Sequence, residues 1–239
     1  ESTAEVCAES IELSDQGVQF MLNSPYGNAR VRSPLLGQHN VRNLLSAAAV
    51  GLLQGLSLDA VCAGLESLQA IPGRFEKIKN SRGVAVLVDF AHTDDALLNA
   101  LTAVRGFTTG RVIVVFGCGG DRDATKRGPM GRIALENSDL AIITSDNPRT
   151  EDPPQILDDT QQGFATADDG PDPQPETRVE IDRARAIKLA IALARPGDTV
   201  LIAGKGHEDY QIIGTTKHPF DDREHAAAAL RESKHPHPQ

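Results

Sequence analysis

Hydrophobic positions along the chain fall into two textures. Val18, Phe20 and Leu22 alternate with polar neighbours, and Ser24-Pro25-Tyr26-Gly27-Asn28 supplies a turn before a second run begins at Val31. This predicts β-structure over residues 10–33. The period then changes. Val41, Leu44, Leu45, Ala48, Ala49, Leu52, Leu53 and Leu56 recur at helical spacing. A second helix is expected over residues 58–68, stopped by Ile71-Pro72-Gly73. From Phe75 onward, short β-branched runs alternate with amphipathic stretches. Residues 84–88, 112–116, 140–143 and 199–203 read as buried strands, 178–181 as a weaker one and 211–213 as an edge strand. Between them lies a helix capped by Thr93 or Asp94 and carrying Leu97, Leu98, Leu101 and Val104. Further helices are expected over residues 129–137, 153–164 and 183–194, and a last one through Ala226, Ala229 and Leu230. The Asp/Pro-rich stretch 168–176 reads as a surface loop, and the tail after Ser233 as frayed.

Strands alternating with helices of this length imply an α/β fold: a mainly parallel, Rossmann-like sheet with helices on both faces. A domain boundary falls near Pro72-Gly73, giving segments 1–72 and 73–239. The 239 residues carry a net charge of −9 and 4% aromatics with no Trp, which argues against nucleic acid as a partner. No apolar run approaches the roughly 20 residues of a membrane span. Cys7, Cys62 and Cys118 are odd in number and form no CxxC, pointing to a reducing, cytoplasmic setting, to no metal site, and to three small core residues. Glu1 in place of Met, and opening strands with no obvious start, point to the C-terminal part of a longer protein.

Each strong strand is followed by an unusual loop. These are Asp89-Phe90-Ala91-His92-Thr93-Asp94-Asp95, Gly117-Cys118-Gly119-Gly120-Asp121-Arg122-Asp123, Thr144-Ser145-Asp146-Asn147-Pro148-Arg149 and Gly204-Lys205-Gly206-His207-Glu208. In a parallel sheet all four emerge on one edge, where ligands of open α/β sheets bind. Pro148 takes the chain out of the ladder, so Asp146, Asn147 and Arg149 are presented together. An acid, an amide and a guanidinium can grip both an ammonium and a carboxylate. A plain β–α loop with Asp146 as a cap is the alternative. The three glycines after residue 116 fit a tight turn and make no dinucleotide fingerprint. Gly204-Lys205-Gly206 is not a P-loop, since no Ser or Thr follows the Lys. His92 fits a structural histidine as well as a site residue, and His218, His225, His235 and His237 form no metal-ligand pattern. Asn40 and Asn43 share a helix face and suit a nucleotide or a helix cap. Arg74, in the hinge, could reach a ligand between domains.

Taken together these segments resemble the Mur ligases. The resemblance is carried in order by Gly37-x-x-Asn40-x-x-Asn43, Pro72-Gly73-Arg74-Phe75-Glu76, Asp89-Phe90-Ala91-His92-Thr93, the Gly117–Asp123 loop with Lys126-Arg127, Asp146-Asn147-Pro148-Arg149 and Gly204-Lys205-Gly206-His207-Glu208. The Asp-Asn-Pro-Arg form resembles the branch that adds meso-diaminopimelate rather than lysine. The resemblance implies ATP-dependent amide formation: ATP, with Mg²⁺, phosphorylates the D-Glu carboxylate of UDP-MurNAc-L-Ala-D-Glu, and the diaminopimelate amine attacks the acyl phosphate. It implies that Arg149 and Asn147 hold the distal carboxylate, Asp146 and Glu208 the distal ammonium, and Arg122 the carboxylate beside the attacking amine. Pro148 and Gly204 belong to the same pocket. Asn40, Asn43, Arg74, Asp89 and His92 fall on the nucleotide side. Residues 1–72 would be the end of the central ATP-binding domain, and 73–239 the amino-acid-binding domain. The family's UDP-sugar domain, P-loop and carbamylated lysine have no counterpart here, so the chain alone is expected to be inactive. Phe90 and Asp94 stand where the family has Tyr and Pro. The competing readings are an amino-acid-binding module without catalysis and a paralogous ligase related to folylpolyglutamate synthase.

Overall fold

The computed structural model describes residues 5–165 and 175–232. Most of the 168–176 stretch, the tail after Ser233, His235 and His237 lie outside the described residues. The chain divides into two compact units, Glu1–Ile71 and Pro72–Gln239.

The first unit is an antiparallel meander of β1 (Cys7–Ser14), β2 (Gly17–Ser24) and β3 (Gly27–Ser33), followed by α1 (Gln38–Leu53) and α2 (Leu58–Ser67). Val18, Phe20 and Leu22 of β2 point to one face and pack with Val31, with Val41, Leu44, Ala48 and Leu52 of α1, and with Val61 and Leu65 of α2. The sheet begins earlier than the alternation predicts. β1 carries a register shift between Glu9 and Glu12, and Ser10 sits at φ 51°, so its side chains never alternate cleanly. Leu53 and Leu56, expected on the core face, are 80% and 55% exposed. The buried stripe runs 41, 44, 48, 52; Leu53 lies one residue off it, and Leu56 falls beyond the helix end.

The second unit holds β4 (Glu76–Lys77), β5 (Ala85–Asp89), α3 (Asp94–Arg105), β6 (Val112–Phe116), a 3₁₀ turn (Ala124–Lys126), α4 (Arg127–Asn137), β7 (Leu140–Ile143), α5 (Pro153–Ala165), β8 (Glu176–Val179), α6 (Arg183–Leu193), β9 (Thr199–Ala203), β10 (Tyr210–Ile213), β11 (Thr216–Pro219) and α7 (Asp222–Glu232). Its six-stranded sheet has the order β4-β5-β9-β6-β7-β8, parallel throughout except for β4. Val86, Val88, Ile113, Val115, Leu140, Ile142, Val200 and Ile202 face α6 and α7. The intervening strand residues are also buried, toward the face that α3 and α4 cover. From β5 through β8 the chain steps outward across α3 and α4; it returns to β9, between β5 and β6, by way of α6 on the opposite face. The neighbouring ends of β6 and β9 therefore lead away to opposite faces, and such a divergence opens a crevice at the carboxyl edge.

Several local expectations change. Residues 211–213 are not an edge strand of the main sheet: β10 pairs with β11 in a separate two-stranded ribbon. The polar, exposed β11 gave no hydrophobic pattern to read. The weak strand lies at 176–179 rather than 178–181, because Val179 and Ile181 are about half exposed and do not set its register. Thr93, not Asp94, caps α3 by accepting from the Ala96 N–H. Leu98, expected on the buried face, is 40% exposed, since it sits between the buried positions Leu97 and Leu101. All three cysteines are free thiols, but only Cys118 is buried; Cys7 and Cys62 are half-buried. No helix among the described residues is long and apolar enough to cross a membrane.

At the first residue of α6, Arg183 meets the first residue of α7. Its Nε and Nη2 donate to the two Asp222 oxygens at 2.8 and 2.7 Å, and Nη2 also donates to the Ala203 carbonyl at 3.0 Å. Both side chains are fully buried. Burial alone would push the guanidinium down; the Asp222 carboxylate outweighs it and holds Arg183 above its ordinary value. Removing one partner of such a pair strands the other charge, at a cost of about 3–5 kcal/mol. Asp222→Ala is expected to lower the unfolding free energy of the second unit by that amount in urea titration. Arg183→Met/Asp222→Leu should recover most of it; a double variant as unstable as the single would show that the ion pair itself, not the stranded charge, carries the stability.

Candidate functional site

The four loops do converge. Those after β5, β6, β7 and β9 line one cavity of about 340 Å³, with walls that include His92, Arg122, Asp146, Asn147, Arg149, Gly204 and Glu208. The volume lies within the range of small-molecule sites.

The loops after β6 and β7 are pressed together by backbone. Gly120 N donates to Asn147 O at 2.9 Å, and Arg149 Nη1 to Gly120 O at 2.7 Å. A Cβ on Gly120 would lie 1.9 Å from Pro148 O, and one on Gly117 2.2 Å from Thr144 O. These glycines do not form a left-handed turn, since neither has positive φ. They are required by close approach of the neighbouring loop. Asp121, at φ 52°, accepts from the Thr150 hydroxyl at 2.9 Å, and its N–H donates to Glu151. Arg127, buried at the start of α4, pairs with Glu151 at 2.7 Å and Asp159 at 2.8 Å. Pro148 is buried but is not where the chain leaves the sheet: β7 ends at Ile143, and directly after Pro148 the chain pairs with the ribbon through an Arg149–Ile213 bridge.

At the centre stands Lys205, fully buried, a residue to which the loop motif assigns no role of its own. Its Nζ donates to Tyr210 O at 2.7 Å, to Asn147 Oδ1 at 3.0 Å and to Glu208 Oε2 at 3.5 Å, and lies 3.3 Å from Asp146 Oδ1. Asn147 Oδ1 also accepts from Ile212 N at 2.8 Å, and its Nδ2 donates to Glu208 at 3.1 Å. The Asn147 oxygen is thus occupied and one amide hydrogen remains for a ligand. The β10–β11 ribbon straps this loop down. Gln211 Nε2 donates to Asp146 O at 2.6 Å, Arg149 N to Ile212 O at 3.1 Å and Gly214 N to Arg149 O at 2.7 Å. Gly204, at φ 120°, leaves the room that Asp146 fills: a Cβ there would lie 2.7 Å from Asp146 Oδ2. Beside this cluster Cys118 is an inert thiol, pushed up to about 11 by burial.

The remaining named residues divide between the units. Asn40 and Asn43 lie on α1 in the first unit; Asn40 is buried, donates to Leu36 O at 2.8 Å, and accepts from Asn43 at 3.1 Å. Arg74, Asp89 and His92 lie in the second unit. The Asp89 oxygens accept from Phe75 N and Ala91 N, each at 2.9 Å, so this carboxylate fixes the hinge segment to the end of β5. Exposed Arg74 stacks over the Phe90 ring at 5.1 Å, and the His92 ring packs on Phe90 at 4.5 Å with Nδ1 2.8 Å from Phe90 O. No group of three or more His, Cys, Asp or Glu among the described residues is placed to hold a metal. Asp146 and Glu208 share an ammonium, which repels a dication, so this donor set does not fit Mg²⁺.

Residues 73–206 match the model of the Mur ligase glutamate ligase domain, and residues 1–51 that of the Mur ligase middle domain. The chain belongs to the Mur ligase family. A UDP-N-acetylmuramoyl-L-alanyl-D-glutamate–2,6-diaminopimelate ligase of Nostoc sp. is 50% identical over 234 residues, covering 97% of this chain and 46% of that protein. One of the same name from Gloeobacter violaceus is 50% identical over 232 residues, again 97% and 46%. A solved structure of a ligase with that name superposes with a TM-score of 0.74 at 38% identity, covering 99% of this chain and 47% of the other. A Mycobacterium tuberculosis folylpolyglutamate synthase, at 21% identity and a TM-score of 0.64 over 99% of this chain and 49% of its own, shares the fold. The chain spans about half the length of the curated relatives it matches.

The Arg127 network gives this Mur ligase site a pH signature. Hydrogen bonds from Arg127 come first in holding Glu151 and Asp159 below the usual carboxylate range. A depressed folded value stabilises above the unfolded carboxyl value of about 4 and is lost as pH falls through the folded one. Arg127→Met should therefore unfold at lower denaturant than wild type at neutral pH, with the gap narrowing below about pH 4. A gap that stays constant with acidification would show that Arg127 acts by packing alone.

Proposed function

We propose that the cavity binds meso-diaminopimelate, and that the protein to which this chain belongs is a cytoplasmic, ATP-dependent ligase joining that amino acid to UDP-MurNAc-L-Ala-D-Glu through an acyl phosphate. The single observation that carries this is the charge layout. Asp146, Glu208 and Lys205 sum to one negative charge, which complements one ammonium. Arg122 and Arg149 line the same cavity, and neither pairs with a carboxylate among the described residues. They complement two carboxylates. Diaminopimelate with a neutral attacking amine presents two carboxylates and one ammonium. The other cations of the wall have carboxylate partners of their own: Arg127 is paired with Glu151 and Asp159, and Lys126 lies beside Asp123.

The placement supports the roles that the resemblance implies. The Asp146 and Glu208 oxygens receive the distal ammonium, and Arg149, with the remaining Asn147 hydrogen, the distal carboxylate. Arg122, exposed at the mouth, takes the carboxylate beside the attacking amine and keeps that amine on the open side. Residues 1–72 belong in this reading to the ATP-binding domain, and 73–239 to the amino-acid domain. The nucleotide side of this reading draws on Asn40 and Asn43 of the first unit and on Arg74, Asp89 and His92 of the second; Asp89 serves as a brace, since its oxygens hold backbone N–H groups. The sequence contains no P-loop to cradle ATP phosphates.

Calorimetry of the chain with meso-diaminopimelate and with lysine tests the binding reading; equal or absent binding of the two would overturn it. Selectivity is expected to rest on Arg149. Lysine lacks the distal carboxylate and leaves this guanidinium unpaired with an ammonium nearby, a penalty of about 3–5 kcal/mol. That exceeds the roughly 1–3 kcal/mol from a methylene-sized difference in shape. The guanidinium also braces Gly120 O, so Arg149→Ala should weaken both ligands. It should weaken diaminopimelate far more, narrowing its advantage over lysine. An unchanged ratio of the two affinities would leave only the brace.

A further inference from the structure

We propose that Lys205 is a positioning residue that sets the charge of the ammonium subsite, neutralising Asp146 without occupying its hydrogen-bonding capacity. The proposal rests on the diamino-acid reading of the cavity. An ammonium has three protons. Those of Lys205 go to Tyr210 O, Asn147 Oδ1 and Glu208 Oε2. Asp146 Oδ1, 3.3 Å away, receives charge but no aligned proton, and it is buried with no hydrogen-bond partner. A buried carboxylate oxygen in that condition is costly to leave unsatisfied. A donor from the cavity side would satisfy it, and the ligand ammonium is such a donor. Lys205 thus brings its positive charge to both carboxylates and leaves one Asp146 oxygen free to accept from the substrate.

Other charged groups face this pair. Arg183 lies behind Gly204, paired with Asp222, and acts on both carboxylates; Tyr210 OH donates to Glu208 Oε1 at 3.4 Å from β10. Arg149 stands on the loop of Asp146. Arg122, Lys126 and His92 line the cavity beyond. All of these stay in place when Lys205 alone is changed, so a difference in pH dependence isolates the lysine.

Without Lys205 the two carboxylates would stand together with no cation in contact with either, since Arg183 is committed to Asp222, and one would take up a proton. An ammonium ligand would then have to displace that proton. The test is calorimetric titration of the chain with meso-diaminopimelate from about pH 5.5 to 8, in buffers of different ionisation heat, for wild type, Lys205→Met and Lys205→Met/Asp146→Asn. In Lys205→Met the association constant is expected to fall toward acid about tenfold per pH unit more steeply than in wild type, with about one more proton released per ligand bound. Any proton that the attacking amine gives up on binding is common to all three proteins and cancels in this difference. The double variant, with one charge of each sign removed, should return to the wild-type slope. Lys205→Met that binds weakly with the pH dependence of wild type would overturn the proposal and leave a structural anchor. If Lys205→Met does not fold, folding of the double variant upholds the charge balance, and failure of both overturns it. Absence of binding by wild type would instead overturn the diamino-acid reading, and the proposal with it.

Discussion

One buried ammonium, Lys205, joins the parts of the site. It is fully excluded from solvent, yet it contacts the loop after β7 through Asn147 and Asp146, its own loop through Glu208 and the ribbon through Tyr210 O. A charge in that position is expensive unless every proton finds an acceptor. The three loops must therefore take one arrangement relative to one another. The flanking glycines make the approach possible. Gly204 leaves space for Asp146, and Gly206, at φ 54°, lies so close to Phe90 and Gly73 that a Cβ would come within 2.7 and 2.8 Å of them. Lys205 is thereby seated between the Gly73 segment, the end of β5 and the cavity.

The cost of this arrangement is visible in the backbone. Phe75, Asp121 and Arg149 are non-glycine residues at positive φ, and each belongs to a loop at the carboxyl edge of the sheet. Such conformations persist where surrounding bonds over-determine them. Phe75 N is held by Asp89, the Asp121 carboxylate by Thr150, and both backbone groups of Arg149 by the ribbon. For Arg149 the ribbon fixes the backbone, Gly120 O takes one edge of the guanidinium, and the side chain lines the cavity.

What the sequence revealed and what it concealed follow from the same physics. The strands 112–116, 140–143 and 199–203 were legible because a buried parallel strand is apolar on both faces, and the four loops because each breaks such a run with charge and glycine. The convergence of Asp146, Arg149, Arg122 and Glu208 followed from topology alone. Lys205 was not legible as a site residue, since a lysine between two glycines looks exposed until three loops close over it. The ribbon was concealed because β11 buries nothing. β1 was concealed by its bulge, and the close-approach role of Gly117 and Gly120 by the fact that it depends on Thr144 and Pro148, distant in sequence. Asp89 carried the right motif, but only coordinates show that its two oxygens are committed to backbone N–H groups.

The most direct measurement is a crystal structure of the chain soaked with meso-diaminopimelate. Expected are an ammonium within hydrogen-bond distance of Asp146 Oδ1 and Glu208, one carboxylate on Arg149 and the other on Arg122. A ligand bound elsewhere, or one seated in the cavity with Asp146 Oδ1 still without a hydrogen-bond partner, would contradict the charge layout from which the function has been drawn.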